Sequence, residues 1–235
     1  MNYFQFKSSA AFILFFTATA LPAQISISNP AFPPGESITY IRSSDHGNEM
    51  VEVEMHLIPP NSSAARSHYE YRMKSESKEM LVKLDADTLE IFYSEVWIKN
   101  TYSTIHRINE IVKQNKPTGP GELLVCDGNG LEVRLRGFPW ARHDKAQMVF
   151  LNGSDKFKFG LKIDGRETLR VNNTAYECRK VQMGLDGFLG SFFPKSYFWY
   201  TVAQPHILVR AEVAEMMGED AHVIELVSYS THGGN

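Results

Sequence analysis

The sequence has few of the features that point to a specific chemistry. It contains only 2 cysteines in 235 residues, and no block of basic residues. Lysine and arginine total 24 against 27 aspartates and glutamates, for a formal net charge of −3. Nucleic-acid binding relies on clustered positive charge, so this balance argues against a nucleic-acid partner. It also gives no electrostatic reason to bind an anionic membrane surface.

Long apolar runs are also scarce. The run from Ala10 to Leu21 has 12 residues, which is short against the about 20 that a membrane-spanning helix needs. A lysine precedes the run and Pro22-Ala23 follows it, so residues 1–23 fit a cleavable signal peptide with cleavage before Gln24. The alternative is an uncleaved anchor. A signal peptide predicts export to the periplasm or cell envelope, and residues 24–235 contain no further segment that predicts membrane integration.

The two cysteines, Cys126 and Cys178, leave two alternatives open. In an oxidising compartment they could form one disulfide, which would contribute about 4 kcal/mol in the chain-entropy model. Free cysteines, on the other hand, commonly lie buried as small apolar residues. The sequence alone does not show whether the two residues are close enough to bond.

The dominant positive signal is the alternation of apolar and polar residues. It occurs over 51–57, 69–73, 131–135 and 157–163. A period of two places apolar side chains on one face of a strand and charged side chains on the other, as in antiparallel sheets with one wet face. We therefore predict an all-β fold, a strongly curved sheet or open β-barrel with at most one or two short helices. Curling or closing limits the exposed edges of such a sheet.

Turn-forming residues separate the alternating segments. Clusters that tolerate positive φ predict hairpin-like turns at 45–48, 127–130, 152–153, 164–165 and 186–187. A proline-containing stretch at 117–120 could divide two subdomains. One domain over 24–235 is favoured, because the alternation resumes unchanged after the prolines.

One segment is ambiguous, and another is predicted to be helical. In 103–115, Ile105, Ile108 and Val112 have helical spacing, whereas Ile105 and Ile111 fit a strand. A strand is favoured there, because the flanking sequence is strand-like. Residues 144–151 are predicted to form a short helix.

Several short motifs occur in an order that resembles a known family. They are Pro34-Gly35-Glu36 near the start and, later, Tyr176, Cys178 and Lys180, Trp199, Pro205, Arg210 and Glu212, and Glu225-Leu226. This order resembles the bacterial exported proteins of domain of unknown function 3108. The stretch 141–154 departs from the helix expected in that family. The resemblance implies a signal peptide, a β-rich fold and an envelope location, but no activity and hence no catalytic residues.

No catalytic or metal-binding constellation stands out. Ser75 and Lys78 have the Ser-x-x-Lys spacing of a serine nucleophile and its lysine base. Their surroundings are charged and strand-like, and the companion motifs are missing, so a solvated turn is the better interpretation. The 8 histidines are scattered, whereas zinc requires three or four convergent ligands. We predict no cofactor and no metal, and consider an enzyme the less favoured class.

Aromatic residues are the one feature that suggests a function. Aromatic side chains lining a curved sheet can hold an acyl chain, although strands favour them for packing alone. The candidates for ligand binding are Tyr69, Tyr71, Trp97, Trp140, Phe157, Phe159 and Trp199. The leading hypothesis is non-enzymatic binding of a lipid or another apolar molecule. The alternatives are a structural or interaction protein with an envelope protein partner and, less favoured, a hydrolase.

Overall fold

The computed structural model describes residues 25–60, 66–98, 101–106, 122–126, 129–152, 155–187, 190, 192–215 and 220–232. These ranges contain thirteen strands and one short helix, α1 (Leu131–Arg136). The strands are β1 (Gly35–Ser44), β2 (Gly47–Ile58), β3 (His68–Lys74), β4 (Lys78–Asp85), β5 (Ile91–Ile98), β6 (Thr101–His106), β7 (Glu122–Cys126), β8 (Lys145–Asn152), β9 (Asp155–Val171), β10 (Thr174–Leu185), β11 (Ser196–Thr201), β12 (Leu208–Val213) and β13 (His222–His232).

All thirteen strands belong to one sheet. Its order is β6-β5-β4-β3-β2-β1-β13-β12-β11-β10-β9-β8-β7, so the first and last strands of the chain are neighbours and the two edges are β6 and β7. Every neighbouring pair is antiparallel except β7 and β8, which are parallel. The predicted all-β, mainly antiparallel fold is confirmed.

The sheet is strongly curled. Tyr71 on β3 and Tyr200 on β11 are five strand positions apart, a distance of about 24 Å in a flat sheet with a spacing of about 4.8 Å. Yet the hydroxyls of both tyrosines donate to Glu132, at 2.7 Å for Tyr71 and 3.5 Å for Tyr200. The sheet must therefore bend around α1, which lies against its concave face.

The helix α1 replaces the strand predicted over 131–135, and that prediction was wrong. Gly130 begins the helix with φ at 70°, a left-handed conformation that glycine adopts without strain. Val133 and Leu135 are fully buried, and Arg134 and Arg136 are buried beside them. The sheet surrounds the helix, so the charged side chains of the helix are enclosed like its apolar ones. The solvent-exposed face that the alternation suggested is therefore absent.

Three other local predictions have clear outcomes. The helix predicted over 144–151 is wrong, since this segment is β8. The turn predicted at 164–165 is also wrong. These residues lie inside β9, where Gly165 has φ at 140° opposite an irregularity in the β10 register. The strand favoured in 103–115 is present as far as His106, and residues 107–115 lie outside those described.

Of the two cysteine alternatives, the structure contains the buried free thiol at Cys178. Cys126 is on β7, three strand positions from the β10 strand that carries Cys178. Burial raises the pKa of the Cys178 thiol to about 11, so the thiol stays protonated and unreactive at neutral pH.

The predicted signal peptide, residues 1–23, lies outside the described ranges. Within those ranges, no helix combines the length and the apolar character that crossing a membrane requires.

Candidate functional site

A cavity of about 440 Å³ separates the concave face of the sheet from the beginning of α1. This volume falls in the range of about 300–1,000 Å³ that is typical of small-molecule sites. Its wall is mostly apolar and includes Met73, Met80, Met148, Met183, Phe159 and Phe198. Methionine side chains are flexible and polarisable, so such a wall can adapt to an irregular apolar ligand.

The alternation of side chains along each strand determines which residues form the apolar wall of the cavity. On β2, Val51 and Val53 are buried and line the cavity, whereas Glu52 and Glu54 between and beyond them are exposed. Successive side chains on a strand point to opposite faces, so the alternation visible in the sequence determines which residues face inward. The same rule applies on β11, where Phe198 and Tyr200 face α1 while Trp199 faces the other way.

The floor of the cavity is a partly buried carboxyl group on α1, that of Glu132. Glu132 accepts hydrogen bonds from the hydroxyls of Tyr40, at 3.2 Å, and Tyr71, at 2.7 Å. Its remaining surface opens into the cavity. Burial raises the pKa of Glu132, although the nearby charge of Arg136 opposes the shift. Burial also raises the pKa values of Tyr40 and Tyr71, so both phenols remain protonated hydrogen-bond donors.

A buried ion pair fixes the helix that carries Glu132. Arg136 and Glu36 are both 0% exposed. The Arg136 guanidinium donates two hydrogen bonds to the Glu36 carboxylate, with 2.9 Å between Nη2 and Oε2, and a third to the Pro205 carbonyl at 3.1 Å. It also lies 4.4 Å from the centre of the Phe32 ring. Burial disfavours the guanidinium charge, but Glu36 outweighs this effect and raises the pKa of Arg136.

The mouth of the cavity is polar and charged. Arg42 Nη1 lies 3.2 Å from Glu49 Oε1, and the Ser77 hydroxyl donates to both Glu49 oxygens. Partial burial opposes the Glu49 charge, but hydrogen bonds from Ser77, Ser75 and Arg42 lower the pKa of Glu49. Ser75 and Lys78 lie in the turn between β3 and β4, where the Ser75 amide donates to the Lys78 carbonyl at 2.8 Å. The Ser-x-x-Lys pair is thus a turn at the rim of the cavity.

We expect the partly buried Glu132 carboxyl to make stability depend on pH. Its pKa is raised above the unfolded value of about 4.3, so the folded state binds more protons between these two pKa values. Stability is therefore fully present below the unfolded pKa and falls as pH rises through the folded pKa. Glu132→Gln lacks this titration. The variant should therefore be more stable relative to the parent protein at about pH 8 than at about pH 5, that is, the difference in free energy of unfolding should shift in its favour as the pH rises.

Chemical denaturation at the two pH values measures this difference. Glu52→Gln is the matched control, because Glu52 is exposed on the outer face of β2. An equal pH dependence for the parent protein and Glu132→Gln would contradict the expectation.

Two of the aromatic residues proposed from sequence, Tyr71 and Phe159, line the cavity. Two others belong to the packed core. The Tyr69 hydroxyl donates to the Phe32 carbonyl at 3.4 Å, and the Trp140 indole donates to the Leu135 carbonyl at 2.8 Å.

The remaining three lie elsewhere. Phe157 is partly buried and packs against the core, whereas Trp97 is exposed. Trp199 is on the outer side of β11, with Lys180 Nζ at 5.0 Å and Arg210 Cζ at 5.7 Å from its ring centre. Strand parity separates Trp199 from the cavity-lining Phe198 on β11, but not Phe157 from Phe159, because these two residues are two positions apart and share one face of β9.

Sequence reasoning missed the four methionines and Glu132. The methionines carry a weak signal, because Met73 and Met183 occupy apolar positions of alternating strands. Glu132 carries none, since it appeared to belong to the wet face of a strand. Among the described residues, no group of three or more histidine, cysteine or acidic side chains could hold a metal ion.

Comparison with known proteins adds little. No family model and no curated protein matches the chain, so the resemblance to domain of unknown function 3108 is not confirmed. One solved structure that matches over most of both chains is a DUF1329 family protein from Desulfovibrio piger, which belongs to a different domain of unknown function. It is 10% identical, the match covers 88% of this chain and 89% of that chain, and the TM-score is 0.32. A likeness at this TM-score carries no argument about function.

Proposed function

We propose that the protein binds an apolar or amphipathic molecule, such as a lipid, inside the curled sheet and does not act on it chemically. The observation that carries this proposal is the cavity of about 440 Å³ with a wall of methionine, phenylalanine and aliphatic side chains. Burying apolar ligand surface in such a wall contributes about 25 cal/mol per Å².

The polar groups of the floor favour binding over catalysis. The Glu132 carboxyl already accepts hydrogen bonds from two tyrosine hydroxyls, and Arg136 is paired with Glu36. These groups stabilise one another and the position of α1. We also propose, from residues 1–23, that the protein is exported and works in the periplasm or cell envelope.

Interaction with an envelope protein is the second candidate function. It is favoured by the exposed apolar side chains of Phe192 and Phe193, 74% and 49% exposed, between β10 and β11. A contact surface of this kind could exist whether or not a ligand occupies the cavity. It therefore does not account for the cavity, and this function ranks second.

Narrowing the cavity should weaken ligand binding. Ala211 is fully buried and faces the cavity from β12, so Ala211→Phe places a ring in the space that a ligand would use. We expect the variant to raise the Kd of the apolar fluorophore N-phenyl-1-naphthylamine by at least about tenfold. Titration of the purified full chain, followed by the increase in fluorescence, measures this Kd.

Two further variants make the test specific. Ala175→Phe adds the same ring at an exposed position of β10 and should leave the Kd unchanged. Val213→Phe narrows the cavity near its mouth and replaces Ala211→Phe if that variant does not fold. Unchanged affinity in folded Ala211→Phe and Val213→Phe would place the fluorophore outside the cavity and contradict the proposal.

A further inference from the structure

The charges around the cavity are unevenly distributed. Its wall is mostly apolar, and its acidic and basic side chains are confined to the floor, at Glu132, and to the mouth, at Arg42, Glu49, Lys78 and His222. An amphipathic ligand must place its polar head at one of these two positions. The groups already engaged at each position decide which head group fits.

The floor is unsuited to a charged head group. Glu132 is bound by two tyrosine hydroxyls, and the nearby Arg136 charge is compensated by Glu36. An anion at this depth would meet the Glu132 carboxyl with no free cation beside it. Any ion there would also lose its hydration, which is costly without a dedicated partner. The floor therefore faces the apolar end of a ligand.

The mouth has unused donors for an anion. A guanidinium has five N–H donors. Arg42 Nη1 donates to Glu49 Oε1 at 3.2 Å, whereas Nη2 lies 3.4 Å from His222 Nδ1, which itself donates to the Asp220 carbonyl at 2.8 Å. The Arg42 Nε atom is buried without a hydrogen-bond partner. The Arg42 side chain as a whole is 29% exposed, so a ligand at the mouth can contact the guanidinium, although its Nε atom is itself enclosed.

A second cation reinforces Arg42. Lys78 lines the same mouth, and no residue in the described part of the chain forms an ion pair with its ammonium group. The mouth thus contains two cations, Arg42 and Lys78, and one carboxylate, Glu49, whose lowered pKa keeps it charged. The mouth therefore has an excess of positive charge, although the chain as a whole is acidic.

We infer that the ligand is an amphiphile with one anionic head group, a carboxylate or a phosphate, which Arg42 and Lys78 hold at the mouth while the apolar chain lies along the methionine-rich wall. The inference rests on the proposed function and specifies its ligand class. Carboxylate and phosphate oxygens both accept hydrogen bonds from a guanidinium, so a fatty acid and a phospholipid share the chemistry required.

A series of ligands with one chain and different heads tests the inference. Dodecanoate, dodecyl phosphate, dodecanol and dodecylammonium are titrated against the full chain by displacement of N-phenyl-1-naphthylamine. We expect the two anions to bind at least about tenfold more tightly than dodecanol, and dodecylammonium to bind more weakly than dodecanol. Tighter binding of dodecyl phosphate indicates a phospholipid-like ligand and tighter binding of dodecanoate a fatty acid, and either order supports the inference.

The double variant Arg42→Gln/Lys78→Gln should remove the preference for anions and leave the affinity for dodecanol unchanged. Arg72→Gln is the control. Arg72 also pairs with a carboxylate, Glu70 at 2.9 Å, but its neighbour Tyr71 occupies the cavity side of β3, so Arg72 faces the other way.

The outcomes separate the two proposals. If dodecanol binds as tightly as dodecanoate, or if the double variant keeps the anion preference, the head-group assignment is wrong while the proposed function stands. If none of the four ligands displaces the fluorophore, both are wrong.

Discussion

Replacing Arg136 with methionine is expected to lower the free energy of unfolding by about 3–5 kcal/mol, the cost typical of breaking a buried ion pair on one side. Both members of the Arg136–Glu36 pair are 0% exposed. The substitution keeps an unbranched apolar stem but leaves the Glu36 carboxylate buried without its cation. It also removes the donor to the Pro205 carbonyl.

Two comparisons isolate this effect in urea denaturation. Arg166→Met breaks an exposed pair with Glu177, in which the side chains are 61% and 64% exposed, and should cost no more than about 1 kcal/mol. The double variant Arg136→Met/Glu36→Leu should recover part of the loss, because it removes both charges. A cost for Arg136→Met no larger than that for Arg166→Met would contradict the account of the buried pair.

Leu135→Ala is expected to lower the free energy of unfolding by about 2–5 kcal/mol. Leu135 lies on α1 and is fully buried in the core formed by the sheet around it. Truncation removes its packing and leaves a hole that the rigid sheet cannot fill completely. A large effect would show that the short helix α1 is an integral part of the core.

Leu57→Ala is the matched control for this measurement. Leu57 is 36% exposed near the end of β2, so the same truncation should change stability by less than about 1 kcal/mol. If the two leucine variants lose equal stability, α1 does not pack inside the sheet as described.

The sequence predicted the strands best where one face of the sheet meets solvent. Val51, Val53 and Met55 are buried while Glu52 and Glu54 are exposed, so the alternation reports burial directly. Over 131–135 the same alternation was misleading. Glu132 and Arg136 use their polar groups in interior hydrogen bonds, and a sequence pattern does not separate an interior polar side chain from a solvated one.

The candidate site was only partly predictable for a related reason. Tyr71 and Phe159 could be proposed as aromatic residues on strands, but so could Trp199. Five of the six residues of β11 are buried, on both faces of the strand, so hydrophobicity alone does not indicate which face carries the cavity. The position of α1 decides this, and α1 is placed by the contacts of Arg136 with Glu36, 100 residues away in sequence.

Methionine methyl NMR tests the binding claim most directly. Met73, Met80, Met148 and Met183 line the cavity, whereas Met50 is exposed and Met55 is buried away from it. With methyl-labelled methionine in the full chain, saturation with dodecanoate should shift the signals of the four lining residues and leave those of Met50 and Met55 in place. A shift confined to Met50, or no shift at a concentration that displaces the fluorophore, would show that the ligand does not enter the cavity.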